Sequence, residues 1–281
     1  MWPRDDLESV LRTILELDNL HYRYPGQGFL ALKGASLVVP EGRKLAVMGR
    51  NGCGKSTLFL HCNGILKPNP GTVRLDGREL RYDRGSLLEL RRQVGIVFQS
   101  AEDQLFSASV AQDISFGPLN LGLSEQEARS RVQAAAETCE ILDIMDRPVH
   151  ALSAGQKTMV ALAGVLAMDP RVLIVDEVLG NLDPWARSQV LTVLGRLVDR
   201  GKTVLMSTHD LAVAFNWADI VVVMKDGRVV AADSPENVSR DADMMNLVGP
   251  PDPWLSRASR ENESRGMLGS RLSFGSAAKG G

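Results

Sequence analysis

The stretch GRNGCGKST, residues 49–57, follows the spacing Gly-x-x-x-x-Gly-Lys-Ser. Glycines at 49, 52 and 54 let successive backbone N–H groups turn inward around phosphate oxygens. A helix starting at the lysine would aim its positive N-terminus at the same anion. Lys55 then supplies a positive charge to the β- and γ-phosphates, and Ser56 a hydroxyl to Mg²⁺. Asn51, Cys53 and Thr57 complete the candidate nucleotide-binding loop, and the expected ligands are ATP and Mg²⁺.

A second set of chemical residues falls at the ends of apolar runs. RVLIVDE, residues 171–177, closes a buried strand on two carboxylates. In a parallel sheet the active site lies at the carboxyl ends of the strands, which is where Asp176 and Glu177 stand. Asp176 suits a hard cation, and Glu177 suits the orientation or deprotonation of an attacking water. Gln99 ends the run VGIVF, and His209 follows TVLMST in the sequence STHD. Gln99 can reach Mg²⁺ or the water, and His209 a γ-phosphate; a polar strand terminus and a helix cap are the plainer readings of the two. Tyr24 precedes a Pro-Gly turn, where it can stack on adenine or simply pack the turn. LSAGQK, residues 152–157, is a further small, polar helix start suited to an anion, about a hundred residues from the first.

The elements that must position these residues alternate. Residues 14–24 read as a strand, as do SLVVP and KLAVMG, and a helix follows from about Lys55 to Gly64. TVRLDG is a short strand and VGIVF a buried one. Residues 100–150 are mainly helical, with a Ser124/Glu127 capping box opening a helix expected to run to about Met145. Asp183 and Pro184 start another helix, and TVLMST and DIVVVMK are buried strands. The order implies an α/β fold with a mainly parallel core sheet covered on both faces.

The 281 residues are 44% hydrophobic and 23% charged, enough for a sizeable core, and the net charge of −2 gives no pull toward nucleic acid. Cys53, Cys62 and Cys139 lack metal-ligand spacing and read as free thiols of a reducing cytoplasm. His61 and Cys62 are helix neighbours that point apart, so they make no metal pair. No apolar run approaches membrane-spanning length, and MWPRDDLESV lacks the apolar core of a signal peptide. Residues 256–281, rich in Ser, Gly and Arg, read as a disordered tail.

Taken in order, Tyr24, GRNGCGKST, Gln99, LSAGQ, VLIVDE, Leu182-Asp183 and His209 resemble the ATP-binding cassette ATPases that drive ABC transporters, over about residues 14–240. The resemblance implies a P-loop NTPase fold with an N-terminal antiparallel β part and a helical insert at about 100–165, within a nucleotide-binding domain of 1–240 and a C-terminal extension of 241–281. It implies that the signature Ser153, Ala154, Gly155 and Gln156, with Asp183, closes over the γ-phosphate held by a second cassette, a copy or a sibling. Two widely separated anion sites would then be halves of two composite sites. The family's usual LSGGQ has Ala154 for its first glycine here, and Val178-Leu179 replaces its usual Pro-Thr. No charged catalytic group is lost, so an active ATPase is expected, with its partner contact loosened at Ala154.

SAEDQLFSASVAQDISFGPLNLGLS, residues 100–124, resembles the energy-coupling-factor branch, most closely its cobalt/nickel cassettes. That implies import of cobalt or nickel ions, with vitamin import or another ABC importer as the alternatives. It also implies a transmembrane coupling subunit, a substrate-binding membrane subunit, and a peripheral position on the cytoplasmic face of the membrane. Gln104, Leu105 and Phe106 are the expected contacts to the membrane subunit. The soluble cassettes of translation and DNA repair usually carry two cassettes or a long coiled coil, and this chain shows neither.

Overall fold

A phosphate loop needs a strand before it and a helix after it, and the computed structural model, which describes residues 12–249, has both. Strands β1 (Thr13–Tyr22) and β2 (Leu32–Pro40) pair antiparallel across the Tyr24 turn. Strand β3 (Lys44–Met48) then delivers the chain into the glycine-rich loop, and α1 (Lys55–Cys62) leaves it. Strands β4 (Thr72–Leu75) and β5 (Arg78–Glu79) complete an antiparallel sheet of order β2-β1-β4-β5. Helix α2 (Arg84–Gln93), capped by Asp83, leads into β6 (Val94–Val97).

The segment between β6 and the next strand is mainly helical, as expected. It carries α3 (Val110–Asn120), α4 (Glu125–Thr138) and α5 (Ala154–Leu166). Both halves of the Ser124/Glu127 capping box are present. Helix α4 nevertheless stops well short of Met145, because Glu140 takes a left-handed φ of 57° and a 3₁₀ turn follows at Leu142–Ile144. The remaining elements are β7 (Val172–Asp176), α6 (Pro184–Asp199), β8 (Thr203–Ser207), α7 (Leu211–Trp217), β9 (Ile220–Lys225), β10 (Arg228–Asp233), α8 (Pro235–Arg240) and α9 (Ala242–Val248).

The second sheet has the order β10-β9-β3-β8-β7-β6, parallel throughout except for the edge strand β10. Its side chains alternate between two cores, as the pleat requires. Val172 and Ile174 face Leu15, Leu58 and Phe59 in the layer shared with α1 and the antiparallel sheet. Leu173 and Val175 face the other way, into the core built with α3, α4, α5 and α6. Ala46, Met48, Val221 and Val223 meet α7 and α8, with Met244 and Leu247 of α9 against them, so packing continues past residue 240. The three cysteines are free and buried, and burial pushes the Cys62 and Cys139 thiols up to about 12. The tail expected from about 256 lies outside the described residues.

Candidate functional site

At the phosphate loop, the glycines are required by backbone geometry. Gly49 has φ 147°, and a Cβ there would lie 2.3 Å from the Met224 carbonyl oxygen and 2.8 Å from Cys53 Sγ. Gly54 has φ 110°, and a Cβ would stand 2.9 Å from the Ala31 carbonyl. Gly54 is also the N-cap of α1 and offers no side-chain acceptor, so the first-turn N–H groups keep their capacity for an anion. Lys55 is buried, 4% exposed, and its Nζ donates to the Gly49 carbonyl at 3.0 Å.

The parallel register brings the predicted acid and base groups to this loop. Glu177, just beyond β7, ion-pairs with Lys55 at 3.2 Å through Oε1. His209 Nε2 donates to the same oxygen at 2.8 Å, and Gln99 Nε2 donates to Oε2 at 3.1 Å. With its proton directed to Glu177, His209 Nε2 has no lone pair for Lys55, which lies 3.4 Å away. Burial pushes the Glu177 carboxyl up, but Lys55 and then His209 more than offset it, and the group is held below the usual carboxylate range. Asp176 is 6% exposed and accepts the Ser207 hydroxyl on Oδ1 at 2.6 Å. Asp210 of STHD caps α7 through the Val213 N–H, so this tetrapeptide both caps a helix and serves the cluster.

Ser56, Gln99 and Asp176 line one groove, and Ser56 and Gln99 also line the adjoining pocket with Glu177. A hydroxyl, an amide and a carboxylate form an all-oxygen set suited to Mg²⁺, and the side chains present fit that ion. Among the described residues there is no cluster of three or more His, Cys, Asp or Glu side chains able to hold a metal.

Tyr24 is half-buried at the mouth of the loop. Its hydroxyl lies 3.2 Å from Thr57 Oγ1, and its ring meets Tyr22 edge-on at 5.0 Å. Asn51 and Gly52 line the same mouth, and so does Phe29, 64% exposed, which the sequence reading passed over.

Ala154 of the signature lines the same groove as Ser56, Gln99 and Asp176. Ser153 is the N-cap of α5 and closes a capping box with Gln156: Gln156 N–H donates to Ser153 Oγ at 3.3 Å, and Ser153 N–H to Gln156 Oε1 at 3.1 Å. Ala154 is exposed, whereas a Cβ on Gly155 would stand 2.9 Å from the Ala186 Cβ. Asp183 caps α6 by accepting the Ala186 N–H at 2.9 Å. Among the described residues no hydrogen bond or ion pair joins Ser153–Gln156 to Lys55, Asp176, Glu177 or His209.

The three expected membrane-subunit contacts differ in placement. The Gln104 amide is turned inward, accepting the Phe98 N–H and donating to the Ile96 carbonyl, both at 3.2 Å. Leu105 packs partly against the core. Phe106 is 64% exposed, because buried Asp113 takes the Phe106 and Ser107 N–H groups at 2.9 and 2.8 Å and holds the loop outward. Its ring meets Phe116 edge-on at 4.7 Å, and Leu119 extends the ridge, two residues that sequence reasoning missed. No helix among the described residues is long and apolar enough to cross a membrane.

A family profile described as ABC transporter matches residues 32–180. The chain is 42% identical over 247 residues to the energy-coupling factor transporter ATP-binding protein EcfA of Methanosphaera stadtmanae, covering 88% of each chain. It is 49% identical over 228 residues to the cobalt import ATP-binding protein CbiO of Rhodobacter capsulatus, covering 81% of each. Among solved structures, CbiO1 of Clostridium perfringens, described as part of the ABC transporter complex CbiONQ, superposes with a TM-score of 0.76 at 41% identity, over 89% of this chain and 99% of that one. Other curated relatives are longer, and the chain spans 57% and 64% of the length of two of them.

Proposed function

The chain belongs to the ABC transporter ATP-binding family, within which it is an ATP hydrolase coupled to transport, and we propose that it powers an energy-coupling-factor import complex for cobalt or nickel ions. The observation that carries the hydrolytic reading is the convergence of Lys55, His209 and Gln99 on the two carboxylate oxygens of Glu177, beside a glycine loop shaped for phosphate. The import reading is supported by the energy-coupling-factor and cobalt-import names of its relatives and by the exposed Phe106–Phe116–Leu119 ridge.

In this reading the loop N–H groups and the α1 N-terminus hold the triphosphate, and Tyr24 stacks on the adenine. Lys55 serves the β- and γ-phosphates, and its turn toward them leaves Glu177 to His209 and Gln99. Glu177, so held, orients a water and takes its proton as the water oxygen bonds to the γ-phosphorus and the bond to the ADP oxygen breaks. His209 then has both a carboxylate to steady and a γ-phosphate within reach. Ser56, Gln99 and Asp176 would hold Mg²⁺, which neutralises charge on the phosphates when bound.

Ser153, Ala154, Gly155 and Gln156 present the α5 N-terminus to the γ-phosphate of a second cassette, with Asp183 beside them. The closed pair is favoured by ATP and released by hydrolysis, since a ligand shifts an equilibrium only by its differential affinity for the two states. The pair sits on the cytoplasmic face of the membrane beneath a transmembrane coupling subunit, which meets the Phe106 ridge, while a separate membrane subunit binds the cargo. Uptake of cobalt and nickel by cells carrying Glu177→Gln tests this. Loss of uptake of either metal is expected; unchanged uptake of both removes the metal assignment and shifts attention to vitamins.

A further inference from the structure

Ser207 ends β8, two positions before His209, and is completely buried. In the β7–β8 register it stands opposite Asp176. Its hydroxyl donates to Asp176 Oδ1 at 2.6 Å and accepts the Glu177 N–H at 2.8 Å. One buried hydroxyl is therefore bonded to both consecutive acidic residues of the site. Resting on the ATP-hydrolase reading, we infer that Ser207 is a positioning residue for hydrolysis, fixing the Asp176 carboxylate and the Glu177 backbone together.

Two features make the hydroxyl necessary. Glu177 has φ 48°, the left-handed region that a side chain with a Cβ occupies only when its surroundings hold it there. The N–H that defines this bend is accepted by Ser207, and the bend directs the Glu177 carboxylate toward Lys55, His209 and Gln99. Asp176 is nearly as buried as Ser207, and the hydroxyl fixes one of its oxygens at the groove shared with Ser56 and Gln99. An apolar residue at this strand end would remove both the acceptor of the Glu177 N–H and the donor to Asp176 Oδ1. A serine has the single donor and the acceptor lone pairs that both tasks require.

The test uses the full chain and compares the parent with Ser207→Ala, Ser207→Thr, and Ser207→Ala placed in Glu177→Gln. Ser207→Ala is expected to lower kcat about tenfold to a hundredfold, as for a misplacement on the order of 1 Å. KM for ATP and the affinity for a fluorescent ATP analogue without Mg²⁺ should stay within about twofold, while more Mg²⁺ is needed to saturate analogue binding. Ser207→Thr, which keeps the hydroxyl, should recover most of kcat. At saturating Mg²⁺, where the Asp176 part of its role is met, the same change in the Glu177→Gln background should add less than about twofold, because the remaining effect passes through Glu177. The inference is overturned if Ser207→Ala turns over at the parent rate, if analogue binding is lost along with turnover, or if the two losses multiply in full. An inactive parent chain sinks the hydrolase reading as well, whereas an active parent matched by Ser207→Ala overturns the positioning role alone.

Discussion

At the ends of β3, β6, β7 and β8 the polar and charged groups are bonded to one another: Lys55 to Gly49 and Glu177, His209 and Gln99 to Glu177, Ser207 to Asp176. At the start of α5 the polar groups of the signature are bonded only within their own cap, Ser153 to Gln156 and back. Both places are helix N-termini that favour an anion. The second also has a cation, Lys157, paired with Glu102 at 2.6 Å, but only the first gathers Lys55, His209 and Gln99 on one carboxylate. The contrast separates a cluster of mutually bonded side chains from a helix start whose Ser153 and Gln156 bond only to each other, which the proposed function reads as a catalytic cluster and a surface offered to a second cassette. It is the arrangement expected of a molecule whose active sites are shared between two copies or siblings.

The sharpest way to break this contrast is at its richest point. Glu177→Gln keeps the shape of the side chain and removes the base. Turnover should fall by about 10²–10⁴-fold, the range for a positioned general base, while ATP binding persists and ATP-dependent dimers accumulate on size-exclusion chromatography. Turnover at the parent rate would remove Glu177 from the mechanism. Lys55→Ala follows. A lost hydrogen bond to a charged group costs about 1.5–3 kcal/mol, so nucleotide affinity should fall roughly tenfold to a hundredfold. Unchanged affinity in a direct binding assay would detach the glycine loop from its nucleotide.

Mixing tests the sharing itself. Ser153→Arg places a bulky cation on the signature surface, far in bonding terms from the Glu177 cluster. Alone, Ser153→Arg and Lys55→Ala should each abolish most ATPase activity. In a mixed dimer the intact loop of one chain meets the intact signature of the other, so one site in two is whole. Random mixing makes about half of the dimers mixed, and isologous pairing then predicts recovery of about a quarter of the parental activity. A mixture no more active than its components would mean that the two surfaces do not meet in a pair of this chain.

Much of the proposed catalytic cluster was legible because its residue types are constrained by the backbone. Gly49 and Gly54 occupy conformations in which a Cβ would strike a carbonyl, and Lys55 follows them at a fixed offset. The strands were legible for a related reason: β6 to β9 are buried on both faces, so they read as continuous apolar runs. The misses have the opposite character. Helix α2 is only ten residues long and its apolar face is just Leu90 with partly buried Leu87, too short a stripe to stand out, and β10 alternates weakly at the sheet edge. The end of α4 is set by the left-handed backbone at Glu140, a residue type that seldom marks a stop. Ser207 was legible only as part of the strand TVLMST, and only the register with β7 brings it to Asp176. Gln104 was legible as part of a segment but not in direction, since its inward turn depends on the backbone of β6.

The smallest expected effects come from the two neighbours at the start of α5, and they sharpen the comparison most finely. Gly155→Ala drives a methyl to 2.9 Å from the Ala186 Cβ, inside the chain's own α5–α6 contact. Overpacking of this kind costs about 1–3 kcal/mol, so the thermal midpoint should drop even without nucleotide. Ala154→Gly acts on an exposed methyl at the first position of the helix. There the stability cost should stay below about 1 kcal/mol, because the first turn is half outside the helix ladder. The methyl lines the groove shared with Ser56, Gln99 and Asp176, open to whatever approaches the signature from outside. Removing it should therefore leave the unfolding transition of the isolated chain nearly in place and leave ATPase activity unchanged or raise it. A large loss of activity at constant stability would show that the Ala154 methyl makes a favourable contact with the second cassette. The departure from the family's usual glycine would then be an adaptation of that surface and not a loosening of it.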